Sequence, residues 1–184
     1  MRRHFTEQTA IFFSVTKWMF LSSFVGIIIG AIVTVFLTTL HIEEEKRDAV
    51  PFHYYYLLPL ALLITVWIVR TFAPTAEGHG TEKVIEAIHK EYEKIDIKVI
   101  PVKLPATLLT IFADGSVGKE GPGAQIGASA ASFISDTLKF HKSDRKKLVI
   151  CGISAGFASV FGTPIAGAIF GVEVCTAKEQ KGLN

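Results

Sequence analysis

From Trp18 to Leu40 the chain carries no charged side chain, and its only polar residues are Ser and Thr. A helix of that length, rising about 1.5 Å per residue, covers the roughly 30 Å hydrocarbon core of a bilayer. Water is absent there, so each backbone N–H and C=O must find a partner within the segment, which restricts such a run to helix. Arg2 and Arg3 ahead of it give the run the look of a secretory leader. A leader's apolar core is usually shorter and is followed by a small-residue cleavage site, which this stretch lacks. The expectation is a span that stays in the membrane.

A second span is expected from Tyr54 to Phe72, opening on the rings of Tyr54, Tyr55 and Tyr56 and closing near Trp67 and Arg70. Aromatic rings favour the membrane interface, and an Arg near a helix end can reach water. Between the spans, His41-Ile42-Glu43-Glu44-Glu45-Lys46-Arg47-Asp48 reads as a polar loop. Lys and Arg counts, three before the first span and two in this loop, give a slight vote for a cytoplasmic N-terminus.

Composition fits such a protein. Of 184 residues, 49% are apolar and 20% charged, and the mean hydropathy is +0.40. A net charge of +2, without basic–aromatic alternation, excludes nucleic acid as a partner. The two cysteines, Cys151 and Cys175, have no metal-ligand spacing and read as buried, reduced thiols. No cofactor and no metal site is expected.

Beyond Ala73 the apolar segments shorten. Thr81 to Glu93 has a stripe of Val84, Ile85, Ile88 and Tyr92 and reads as an interfacial helix. Val99 to Val117 is apolar but interrupted by Pro101, Lys103, Pro105 and Asp114. Three small-residue helices follow, at Gly121–Phe140, Leu148–Phe161 and Pro164–Cys175. The basic run Lys139, Lys142, Arg145, Lys146 and Lys147 reads as a connecting loop, with Ser143 or Asp144 capping the next helix. Four glycine pairs, Gly26/Gly30, Gly123/Gly127, Gly152/Gly156 and Gly167/Gly171, place small residues on one helix face each. In lipid, close backbone approach helps drive helix association, so these pairs are expected to be packing faces.

Within this frame stands Gly118-Lys119-Glu120-Gly121-Pro122. Pro suits a first helical turn, and the glycines let the backbone turn and expose its amides. A helix start carries partial positive charge and unsatisfied N–H groups, so it attracts anions. Ionisable residues at membrane depth usually face a pathway or a partner. Glu120 is then an anion tethered where a free anion could bind, which is the chemistry of a gate. The bland alternative is a carboxylate favoured only by the helix dipole. A nucleotide-binding P-loop fails, because Glu120 follows Lys119 and the earlier glycine is missing. An enzyme using Glu120 as general acid or base lacks a second reactive group beyond Asp114, so no enzyme is expected.

Together with Gln125-Ile126-Gly127, Phe161-Gly162-Thr163-Pro164-Ile165-Ala166-Gly167, Phe170-Gly171-Val172-Glu173, Pro101-Val102-Lys103 and Gly78-His79-Gly80, this motif resembles the CLC chloride channel and transporter family. The likeness covers roughly residues 15 to 174. It implies an all-α, polytopic membrane protein with tilted and discontinuous helices, the chain representing the first of two inverted repeats. The implied domain is residues 1–174, with 175–184 a hydrophilic tail without family likeness. It implies voltage-gated chloride channel-like movement of chloride or a related halide, with or without a coupled proton, and the inner membrane of a prokaryote as location. Glu120 matches the gating glutamate, which competes with the anion when ionised and swings aside when protonated. Gly78, His79, Gly80, Gly118, Lys119, Gly121 and Pro122 match the anion-binding segments, with Lys103 and Glu173 in support.

Two positions depart from the pattern. His79 stands where many members have an anion-binding Ser, which leaves the preferred anion open; the alternative is a turn histidine at the membrane surface. Val174 stands where exchangers often carry a proton-transferring Glu, and valine cannot relay a proton. The likeness then stops at a hydrophilic end, giving the expectation of a truncated chain that needs a missing C-terminal half or a homodimeric partner. The alternative function is a non-transporting fragment or interaction subunit.

Overall fold

The computed structural model describes residues 2–48, 54–78, 80, 81, 84 and 95–176. Among these there is no strand; Gly80, Thr81 and Val84 are helical, and six α-helices have described bounds: α1 (Arg2–Asp48), α2 (Leu58–Phe72), α3 (Val99–Phe112), α4 (Glu120–Thr137), α5 (Lys142–Phe161) and α6 (Pro164–Thr176). The fold is all-α, as expected. Most of the stretch read as an interfacial helix, 82–83 and 85–93, lies outside the described residues.

α1 is one continuous helix, about 70 Å long at the usual rise. Its buried side chains Val25, Ile29, Val33, Phe36 and Leu40 recur every three or four residues and form one stripe. That stripe packs on Ile126, Ala130 and Ala131 of α4 and on Leu148 and Val160 of α5. The rest of the surface, including Phe12, Phe13, Phe20, Phe24 and Ile27, is exposed and apolar. A helix with a bare apolar surface around one narrow packed stripe suits lipid as its surroundings. α2, preceded by a 3-10 turn at Tyr54–Leu57, shows the same exposure, with Leu60, Leu63 and Trp67 bare. These two helices are long and apolar enough to cross a membrane.

Two expected loops are helical. The segment His41–Asp48 continues α1 instead of forming a polar loop. Glu, Lys and Arg are good helix formers, no Gly or Pro interrupts them, and Lys46 and Arg47 face the negative end of the helix dipole. The basic run is likewise mostly helix: Lys142 to Lys147 are the first turns of α5, and only Lys139 lies in the connection. Neither Ser143 nor Asp144 is the cap; the position belongs to His141, whose side chain makes no capping bond. Asp144 instead accepts from Lys147 at 3.2 Å, and Arg145 reaches back to Asp136 at the end of α4.

α4 and α5 run antiparallel with their backbones in contact. A methyl group on Gly127 would strike the Gly152 carbonyl, and one on Gly156 the Gly123 carbonyl. Pairs on facing helices thus make one shared seam. Gly167 and Gly171 of α6 pack on the other face of α5, against Ser154 and Ala158. The fourth pair is a correction: nothing lies within 4 Å of a methyl added at Gly26, and at Gly30 only the Ser159 hydroxyl comes near, at 3.8 Å. α1 meets the bundle through its larger side chains. Cys151 is a free thiol, half-buried where full burial was expected.

Candidate functional site

Three backbone segments meet beside α3. The first is the turn after α2, where a 3-10 helix at Pro74–Ala76 leads to Gly78. Gly78 has φ of 89°, a left-handed conformation that disfavours any side chain. Two long side chains fasten this turn. Lys103 Nζ, half-buried on α3, donates to the Ala76 carbonyl at 2.8 Å and to the Gly78 carbonyl at 3.4 Å. Gln125 Nε2, buried on α4, donates to the Thr75 carbonyl at 3.3 Å. Farther out, Arg70 Nε and Nη2 donate to Glu77 at 3.2 and 3.1 Å.

The second segment is the start of α4. Its cap position is Lys119, and among the described residues no side chain caps it. Pro122 has no N–H, and the Gly123 amide bonds to the Lys119 carbonyl at 3.0 Å. The amides of Glu120 and Gly121 are therefore the donors available at this helix start. The Glu120 carboxylate folds over Gly118, where a methyl group would strike its Oε2. Gly118 leaves room for the carboxylate in this position.

The third segment begins at Gly80, where helix resumes. A methyl group on Gly80 would collide with the Gly121 backbone, so two helix starts face each other with no side chain between them. In an apolar setting, such paired starts form a region of positive potential.

A cavity of about 610 Å³ opens at this meeting point and is lined by Gly78, Gly80, Lys103, Gly118, Glu120, Gly121 and Pro122. Those seven were named from sequence, and the fold brings them together. Lys119 instead lines a second cavity of about 330 Å³, together with Glu44, Arg47, Asp114 and Glu120. The two cavities share Ser116, Val117, Gly118 and Glu120, so this short segment borders both. Glu173 is exposed on α6 and lines neither. His79 lies outside the described residues.

Sequence reasoning passed over the hydroxyls. Thr65, Thr107 and Thr110 line the larger cavity, and Thr107 and Thr110 are each 5% exposed. Thr110 Oγ1 donates to the Ala106 carbonyl at 2.9 Å and lies 3.3 Å from the Thr65 hydroxyl. Thr107 and Thr110, three apart on a helix whose only other polar side chain is Lys103, were the available signal. Each is individually common in membrane helices, where its hydroxyl bonds back to the preceding turn.

The family model for voltage gated chloride channels matches residues 60–181. A chloride/fluoride channel protein of Pseudomonas syringae pv. tomato is 32% identical over 168 residues, 91% of this chain and 37% of that protein. An H(+)/Cl(-) exchange transporter, ClcA, of Vibrio cholerae is 31% identical over 84% of this chain and 36% of that protein. Among solved structures, a CLC-type fluoride/proton antiporter superposes with a TM-score of 0.78 at 27% identity, over 88% of this chain and 40% of that one. The chain belongs to the voltage-gated chloride channel family, a family of integral membrane proteins. It spans a little over a third of the length of the relatives it matches.

Proposed function

We propose that this chain contributes the gated half of a pathway for small anions, and that Glu120 is the gate. One observation carries the reading: Glu120, at a helix start without a side-chain cap, lines two neighbouring cavities at once. An ionised carboxylate held over these amides occupies the place of a dissolved anion. Once protonated, it loses its attraction to the helix start, and an anion can replace it. Gly78, Gly80, Gly118, Gly121 and Pro122 supply exposed backbone, Lys103 holds the first turn in place, and Lys119 adds positive charge on the side of the smaller cavity. The hydroxyls of Thr107 and Thr110 extend the polar lining.

Chloride and fluoride are the anions to test, because the named relatives handle one or both. Proton exchange is the finer alternative to passive flow. The bacterial relatives support the inner membrane as location. The deciding experiment reconstitutes the full transporting assembly in liposomes and follows anion efflux with ion-selective electrodes at several pH values. The gate reading expects Glu120→Gln to leave efflux independent of pH and without proton movement. Efflux that keeps its pH dependence in that variant overturns it. Efflux absent from every assembly containing the chain favours the non-transporting reading.

A further inference from the structure

The two extra turns of α1 that replace the expected loop carry Arg47 to the segment that ends in Glu120. Arg47 Nη1 lies 3.1 Å from Asp114 Oδ1 and donates to the Ile111 carbonyl at 3.4 Å. The Asp114 amide donates to that same carbonyl at 3.0 Å. Arg47 therefore grips both the last turn of α3 and Asp114, two positions beyond its end. Asp114 stands at φ of 61°, in the left-handed region, where the chain reverses toward α4. Gly115 next to it fits tightly, since its amide donates to the Thr110 carbonyl at 2.9 Å and a methyl group would lie 2.7 Å from that same oxygen. From Gly115 only Ser116, Val117, Gly118 and Lys119 precede the gate.

We propose that Arg47 is a positioning residue for Glu120. Its ion pair with Asp114 straps the reversal at 113–115 to the end of α1, and so fixes where the segment bordering both cavities stands. The side chain of Arg47 is 23% exposed, and its bonds to a carboxylate and a carbonyl are charge-assisted, which makes them stronger than a bond between neutral partners. The smaller cavity is walled by the strap itself. Glu44 and Arg47 enter from α1, Asp114 and Ser116 from the reversal, and Lys119 and Glu120 from the start of α4. With the strap closed, the cavity gives an anion access to Glu120 from one side. With it broken, the 113–119 segment is free to collapse into the cavity or to move away from α1. The meaning assigned to this access rests on the gate reading above, whereas the strap itself does not.

Two readouts separate these claims. The first uses the chain in membranes, with Ser116→Cys introduced into a Cys151→Ser, Cys175→Ser background, and measures the rate of reaction with a small charged thiol reagent. Loss of one charge-assisted bond is expected to change that rate about tenfold in both Arg47→Met and Asp114→Asn. Arg47→Lys should show a smaller change, and the exchanged pair Arg47→Asp with Asp114→Arg should return most of the way. The second readout is the concentration dependence of anion efflux in the full transporting assembly. Arg47→Met is expected to raise the half-saturating anion concentration several-fold with little change in maximal rate, and the exchanged pair to restore it.

Equal labelling rates in all four variants would overturn the strap. A labelling change without rescue by the exchanged pair would also count against it, because a general loosening of the fold has no reason to respect charge complementarity. A rescued labelling change in an assembly whose efflux ignores Glu120→Gln would leave the strap standing and remove the gate.

Discussion

Single residues decide the chemistry through what they lack as much as through what they carry. Gly118 makes space for the Glu120 carboxylate, and Gly80 lets two helix starts meet. Glu120→Gln is accordingly expected to fix efflux at one level across pH, as read in the liposome assay. Lys103 is the other residue with a sharp expectation. Its ammonium satisfies two carbonyls in the turn at 76–78. Replacing it by Met leaves those acceptors without that donor, at a cost of about 1–3 kcal/mol. Lys103→Met should therefore lower thermal stability in detergent and weaken anion binding together, with Lys103→Arg recovering part of both. Binding by calorimetry and unfolding by intrinsic fluorescence check the pair. Unchanged affinity in Lys103→Met would show that the turn does not depend on its ammonium.

At the scale of helices, identical-looking glycine pairs do different work. The α4–α5 seam puts backbone against backbone, so a side chain added there must push the helices apart. Gly127→Ala is expected to destabilise the bundle by about 1–3 kcal/mol, the usual cost of overpacking a tight contact. Gly26 faces open space, and Gly26→Ala should be neutral or stabilising by up to about 1 kcal/mol from helix propensity alone. Unfolding of both variants side by side checks the contrast; equal losses would mean that the seam is not as tight as its geometry. The glycine spacing was legible in the sequence, and it correctly marked α4, α5 and α6 as packing elements. It could not rank Gly26/Gly30 below the rest, because spacing records which residues share a helix face and not what lies opposite that face.

Across the whole molecule, α1 works as a measuring rod. Near its N-terminal half, the Trp18 ring lies 4.8 Å beneath the Lys147 ammonium. At its C-terminal end, Arg47 pairs with Asp114, six positions before Glu120. About 44 Å separates these two anchors along the helix, close to the full thickness of a bilayer with its headgroups. The basic residues at 139–147 thus fall at the same end as Arg2, Arg3 and Lys17, where the count of Lys and Arg now favours the cytoplasmic side more strongly. An impermeant thiol reagent added outside intact cells is expected to label Glu45→Cys and to leave Lys142→Cys untouched. The reverse pattern would turn the molecule over. Because the chain spans a little over a third of its relatives, the site it builds is expected to need further walls. An anion stripped of water on one side only remains costly in low dielectric. Expression of these 184 residues alone should then give no efflux above empty liposomes. Efflux from this chain alone, removed by Glu120→Ala, would mean that copies of it complete the site together.

The residue order itself determined two lipid-facing helices, three small-residue helices, and a carboxylate at a Gly-Pro helix start. Each follows from local rules: apolar length, helix-breaking residues and backbone freedom act within a few positions of one another. It also brought most of the candidate site into view, since Gly78, Gly80, Lys103, Gly118, Glu120, Gly121 and Pro122 all sit in recognisable short motifs and line one cavity. Only the tertiary structure decided that Glu120 lines two cavities, that Lys103 and Gln125 fasten the same turn, and that Thr107 and Thr110 join the lining. Those facts depend on contacts between segments tens of residues apart, which no local pattern encodes. The end of α1 shows the difference most plainly. His41 to Asp48 has the composition of a loop and also of a solvated helix, because charged residues suit both. Once the helix continues, Arg47 can reach its partners at Ile111 and Asp114, sixty-odd positions away in sequence.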